Sequence, residues 1–193
     1  LFIDVPMSQP NSLIEITAKK HKLLIDLAYA SPDNFTGKLV YETPRCLLHR
    51  EAEPHLKKAV DIAALAGLRL KIFDAYRPPA AQEIFWKHLP DPRYVADIVK
   101  GSNHSRGVAV DLTLVDEQGR DLDMGTSFDD MTERSHHFQP GLPVQVQRNR
   151  ILLLGIMTQA GFKRIDSEWW HYELPDSLEY PLISDSTIIC RRS

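Results

Sequence analysis

His104, Asp111, Glu168 and His171 are the side chains whose types and spacing could do chemistry together. Two imidazoles and a carboxylate offer three N/O ligands, and three such ligands with a fourth position left to water make a catalytic zinc site, whereas closed structural sites are usually rich in cysteine. In that arrangement His104, Asp111 and His171 hold one zinc ion per chain, which brings the pKa of water towards neutrality and polarises a carbonyl. Glu168 is the free carboxylate that takes the water's proton and passes it to a leaving amine. If the four converge, hydrolysis is the reaction they suit.

Each half of this set also has a plainer reading. A buried histidine hydrogen-bonded to an aspartate accounts for His104 and Asp111, which lie seven apart with Gly107 between them to let the backbone turn. Glu168 and His171 are three apart among Trp169, Trp170 and Tyr172. Residues three apart on a regular strand face opposite sides, so both serve one site only where a bulge or the strand's end reorients one of them. The attack on a carbonyl leaves an oxyanion that needs a cation. Arg77 in Asp74-Ala75-Tyr76-Arg77-Pro78 is the candidate, because a strand end before a proline fixes its direction. A solvated surface pair is the usual alternative for such an arginine.

The elements that must position these residues are readable from periodicity. From about Glu51 to Ala66 the apolar residues Leu56, Val60, Ile62, Ala63 and Leu65 recur at helical spacing, with Gly67 where a helix C-terminal glycine belongs. Leu68 to Phe73 alternates apolar and basic residues as a half-buried strand. A second helix is expected from Pro78-Pro79 to just before Pro90, and a third over Val144 to Ala160, closed by Gly161. Gly107 to Leu114 is a further strong strand, with Asp111 on the face opposite the valines. Weaker strands are expected at Leu13–Ile16 and Leu23–Tyr29, and Gly161 to Leu174 is expected to return as a strand. Residues 1–12 read as an irregular arm, and 116–142 as a long polar stretch of the kind that is functional or hides short helices. Helices interspersed with mostly non-parallel strands predict an α+β fold, a single domain over 1–193 with a small, mostly antiparallel sheet flanked by helices.

Bulk composition narrows the function classes. A length of 193 residues with 43% hydrophobic and 25% charged content is that of a soluble globular domain with a sizeable core. The net charge of −3 and scattered basic residues leave no footprint for nucleic acid or an anionic membrane. Apolar runs such as Ile151 to Met157 are too short to span a bilayer. Cys46 and Cys190 have no C-x-x-C context; one disulfide between them is possible in principle, and a zinc knuckle is not. The start at Leu1 rather than methionine favours a processed periplasmic protein over a cytoplasmic one. The pair His136-His137 reads as structural or exposed rather than as a second metal site.

Seven strings in order, DNFTGK (33–38), DAYRP (74–78), SNHSRGVAVDLTL (102–114), DMGTSFDDM (123–131), ERSHH (133–137), QRNR (147–150) and SEWWHYEL (167–174), resemble the D-alanyl-D-alanine dipeptidases of the VanX type. These belong to a wider zinc D,D-peptidase family of bacterial cell-wall enzymes. The resemblance covers about residues 29 to 174, and seven ordered strings are far more specific than any one of them. It implies zinc ligands at His104, Asp111 and His171, the catalytic base at Glu168, the transition-state arginine at Arg77, and groups holding the substrate's free amine at Tyr29, Ser102 and Asp129. It also implies a small dipeptide substrate, D-Ala-D-Ala, cleaved for D-alanine recovery from the wall or for glycopeptide resistance. Asp129 suits an ammonium, since a nearby carboxylate favours the charged amine. The competing functions are a D,D-carboxypeptidase acting on peptidoglycan stem peptides and a non-catalytic zinc-binding module that recognises peptidoglycan fragments.

Overall fold

Apolar residues at alternate positions of two neighbouring segments, Leu70 and Ile72 in one and Val110, Leu112 and Leu114 in the other, lie fully buried against two helices and form the centre of the core. The computed structural model describes residues 12–93, 95–96 and 100–184. Along the chain run β1 (Leu13–Glu15), α1 (Ala18–His21), β2 (Leu24–Ile25), β3 (Leu47–His49), α2 (Glu53–Leu65), β4 (Arg69–Asp74), α3 (Pro79–His88), β5 (Ala109–Val115), α4 (Val144–Ala160), β6 (Lys163–Arg164) and β7 (His171–Glu173). Short 3-10 turns lie at Ala28–Ala30, His104–Arg106, Glu133–Ser135 and Ser177–Glu179.

Five strands form a sheet in the order β2-β4-β5-β7-β6, and β1 pairs with β3 apart from it. Only β2 and β4 run parallel within the sheet; the other pairs are antiparallel, as the α+β expectation requires. Helices α2 and α4 cover one face, with Leu56, Ala59 and Ala63 packed with Leu153, Met157 and Ala160 over β4 and β5. Each fully buried leucine or isoleucine here contributes roughly 1.5–3 kcal/mol. Helix α4 runs between Pro143 and Gly161, whose φ of +103° accommodates the C-terminal turn that a side chain would resist.

Two expectations need correction, and one short helix was not expected. Gly161 to Leu174 is not one strand: β6 and β7 pair as a hairpin, and the residues between them turn. Over Leu23–Tyr29 only Leu24 and Ile25 pair, with β4, because the chain coils into a 3-10 turn at Ala28. Helix α1, capped by Thr17 accepting from the Lys20 backbone N–H, is too short to leave a periodic signature. Of the expected arm, residues 1–11 lie outside the described residues, as does Cys190, while Cys46 is buried and free.

The 116–142 stretch is held by the QRNR string. Arg150 of α4 is buried and its guanidinium donates to the carbonyl oxygens of Met124 at 2.7 Å, His136 at 2.9 Å and Arg134 at 2.9 Å. Asn149 donates to the Asp123 carbonyl at 2.8 Å. The loop is thereby fixed to a rigid helix, although it contains little regular structure of its own.

Candidate active site

The sheet's register brings three acidic or basic residues into one row. Asp111 in β5 pairs with Asp74 on β4 and with His171 on β7, so the three sit side by side across adjacent strands. A register shift between Ile72 and Asp74 makes the first pairing possible. On a regularly paired strand Asp74 would keep the phase of Leu70 and Ile72 and point into the helix-covered core; the bulge at Phe73 re-aims it towards the face of Asp111.

His104 reaches the same place from the 3-10 turn that precedes β5. Gly107 ends that turn with φ +72°, a left-handed conformation that favours glycine, and a Cβ there would lie 2.6 Å from a methyl carbon of Leu13, which would have to move. His104 Nε2 lies 3.2 Å from His171 Nδ1 and 3.2 Å from Asp111 Oδ2, while His171 Nδ1 is 3.0 Å from Asp111 Oδ1. One ligand atom from each residue lies within 4.8 Å of the other two, and all three residues are buried. Behind them, His104 Nδ1 donates to the Ala75 carbonyl at 2.7 Å and His171 Nε2 to Glu173 at 3.0 Å. Each ring therefore presents its other nitrogen inward, and once those nitrogens are deprotonated this donor set fits a divalent ion.

The demand at 168–171 is met by the end of the strand. β7 begins only at His171, and Glu168 belongs to a turn in which the His171 N–H faces the Glu168 carbonyl oxygen at 3.4 Å. Glu168 is thus free of strand alternation, and its Oε2 comes to 3.9 Å from His171 Nδ1. The turn is braced by the 116–142 loop: the Trp169 N–H donates to the Ser135 carbonyl at 3.1 Å and its indole N–H to Thr126 at 2.8 Å.

Arg77 is gripped from several sides. Its Nε and one terminal nitrogen reach Asp74 Oδ2 at 3.0 and 2.9 Å, the other terminal nitrogen donates to Gln82 at 3.1 Å, and the guanidinium stacks 4.8 Å from the Phe85 ring centroid. Asp74 in turn accepts from the Tyr41 hydroxyl at 2.7 Å. The guanidinium's approach to Asp111 Oδ2, 3.6 Å, places it beside the His104–Asp111–His171 group.

Opposite stands Asp129, in the left-handed backbone region at φ +61° and accepting from the buried Tyr29 hydroxyl at 2.9 Å. Ser102 is buried, and its Oγ accepts the His104 N–H at 3.2 Å. A cavity of about 380 Å³ touches every one of the eight residues expected from the sequence. Both Trp169 and Trp170 lie in the core, and Trp170 also lines the cavity. His137 packs edge-on to Tyr172 and takes no part in a metal-binding group among the described residues.

The electrostatics are those of a site short of positive charge. Burial raises the Glu168 carboxyl to about 7, with Asp111 adding to the shift and His171 and Arg77 opposing it. Burial lifts Asp129 well above the carboxylate range, and the charge of Asp111 pushes the same way. For Asp111 burial acts upward, but His104 and His171 outweigh it and hold the carboxyl far down. Burial disfavours charge on His171, yet hydrogen bonds to Asp111 and Glu173 prevail and raise it to about 10.

Asp74, Gln82, Arg150 and Glu173 are the residues that motif reading passed over. A signal existed for two of them. Arg150 lies on the buried stripe of α4 with Val146, Leu153 and Met157, and Glu173 lies two residues beyond His171 on one strand face.

Known proteins resemble this chain over most of its length. A family described as D-ala-D-ala dipeptidase matches residues 9–191. A D-alanyl-D-alanine dipeptidase of Escherichia coli (strain K12) is 53% identical over 179 residues, 93% of this chain and 93% of the relative. Proteins of that name from Enterococcus faecium and Enterococcus faecalis are 39% and 36% identical, covering 83% and 89% of this chain and 90% and 95% of their own lengths.

Proposed function

We propose, from the premise that this chain belongs to the D-ala-D-ala dipeptidase family and is a metallopeptidase, that it hydrolyses D-Ala-D-Ala to two D-alanines with one zinc ion held by His104, Asp111 and His171. The observation that carries the reading is the charge around one cavity. Asp111, Asp129 and Glu168 line it, while Arg77, the buried guanidinium beside them, is already paired with Asp74 and Asp111, and buried carboxylates left without counter-charge are costly. A divalent ion and one ammonium group supply the missing charge. A free dipeptide brings that ammonium, whereas an acylated stem peptide, the carboxypeptidase substrate, does not.

Bound zinc supplies a polarised carbonyl and a water of lowered pKa. Glu168, lifted towards neutrality, accepts a proton from the attacking water at its carboxylate and returns it to the departing amine. Arg77, held rigid by Asp74 and Gln82, offers N–H donors to the oxygen on which negative charge develops. Asp129, Tyr29 and Ser102 hold the substrate's ammonium, with the Ser102 Oγ also accepting the His104 N–H. Recovery of D-alanine from wall turnover and removal of a glycopeptide target would both use this site. No helix among the described residues is long and apolar enough to cross a membrane.

Glu168→Gln tests the assignment. The variant is expected to bind zinc like the parent and to lose turnover of D-Ala-D-Ala by a factor of about 10² or more. Unchanged turnover would show that another group is the base; a zinc-loaded parent that does not cleave the dipeptide would refute the function.

A further inference from the structure

His171 can serve a metal through Nδ1 only while its ring stays in one orientation and one tautomer. The inward nitrogen is Nδ1, 3.0 Å from Asp111 Oδ1, and the outward Nε2 lies 3.0 Å from Glu173 Oε2. Glu173 follows His171 by two residues in β7, hence on the same strand face, and is 5% exposed. Three further donors from separate parts of the chain converge on its carboxylate. Asn103 Nδ2 reaches Oε2 at 2.7 Å, Ser177 Oγ reaches Oε1 at 3.1 Å, and Lys163 Nζ reaches Oε1 at 3.1 Å from the residue directly across in β6. Both oxygens are engaged, so the carboxylate has no freedom to turn away from the ring.

We propose that Glu173 is a positioning residue that fixes which nitrogen of His171 faces the metal, with Asn103, Ser177 and Lys163 locking the Glu173 carboxylate as an acceptor. The inference rests on His171 being a ligand. Removing the acceptor frees the ring to carry its proton on Nδ1 and to rotate, and both changes compete with coordination. Hydrogen bonding of the outward N–H to a carboxylate also raises the basicity of the inward nitrogen. Asn103 precedes His104 in sequence, so the network joins the supports of both imidazole ligands.

The test measures zinc dissociation constants of the full chain by competition with a chromophoric chelator, for the parent, Glu173→Ala and Glu173→Gln. Loss of the acceptor in Glu173→Ala is expected to weaken zinc binding by about 10- to 100-fold. Glu173→Gln keeps an acceptor without the charge and is expected at the lower end of that range; it carries the test if the alanine variant does not fold. The cobalt(II)-loaded variants are expected to show a shifted visible spectrum, which a merely structural role for Glu173 would leave unmoved. Zinc affinities within about twofold of a zinc-binding parent, in variants whose circular dichroism matches it, would overturn the inference alone. A parent that binds no zinc would overturn the ligand assignment and this inference with it.

Discussion

Replacing Asp129 by asparagine removes one charge and almost no volume. The Tyr29 hydroxyl, 2.9 Å from the carboxylate, can still donate to the amide oxygen, so the loop keeps its anchor. What is lost is the counter-charge for a bound ammonium. Breaking one partner of a buried, hydrogen-bonded charge pair costs about 2–5 kcal/mol. At 1.4 kcal/mol per tenfold, that is a fall in kcat/KM of about 30-fold to several thousandfold for free D-Ala-D-Ala. On N-acetyl-D-Ala-D-Ala, which lacks the ammonium, the variant should resemble the parent, and the preference for the free dipeptide should collapse. The fold supplies a second signature of opposite sign. Burial raises the Asp129 carboxyl above its unfolded value, so ionising it opposes folding above about pH 4, where the unfolded group is already charged. The metal-free Asp129→Asn protein should therefore melt higher than the parent at neutral pH, and the gain should vanish on acidification. D-alanine release from both substrates, with melting curves across pH, measures both effects. A variant that retains the parent's preference for the free amine would refute the role given to Asp129.

Other consequences follow from the same contacts. Lysine at position 77 cannot reproduce the paired grip on Asp74 and Gln82, so Arg77→Lys should lower kcat by about 10²- to 10³-fold with a smaller change in KM, read from steady-state kinetics. Arg150→Met strands three carbonyl oxygens, each costing about 1–3 kcal/mol if left buried without a donor, and urea unfolding should show a loss of about 3 kcal/mol or more. Zinc at about 100 times its dissociation constant should stabilise the folded chain by about 2.7 kcal/mol, and His171→Ala should abolish the shift in thermal melts.

The elements with strong periodicity were legible from the chain itself. Proline and glycine bracket α4, and the alternating residues of β4 and β5 place the core. The eight candidate residues can be named from the sequence, but not the reason His104, Asp111 and His171 come together. That reason is the Asp74–Asp111–His171 row, which depends on a bulge at Phe73, and a bulge is a property of pairing between strands rather than of either strand's pattern. The chemistry demands a break in alternation near 168–171, but where β6 ends and β7 begins is not legible, because an aromatic run reads as strand whether or not it turns. The roles of Arg150 and Glu173 are not legible in the sequence for a related cause. Charge argues for the surface until the partners that satisfy it are known, and those partners lie 14 to 26 residues from Arg150 and as many as 70 from Glu173.

The most direct test of a His104–Asp111–His171 zinc centre that hydrolyses D-Ala-D-Ala is a titration of zinc into the metal-free chain with D-alanine release followed at each step. Release should rise in proportion to zinc and level off at one ion per chain, and His171→Ala should show no such break. Full turnover by metal-free protein, or a parent-like titration in His171→Ala, would contradict it.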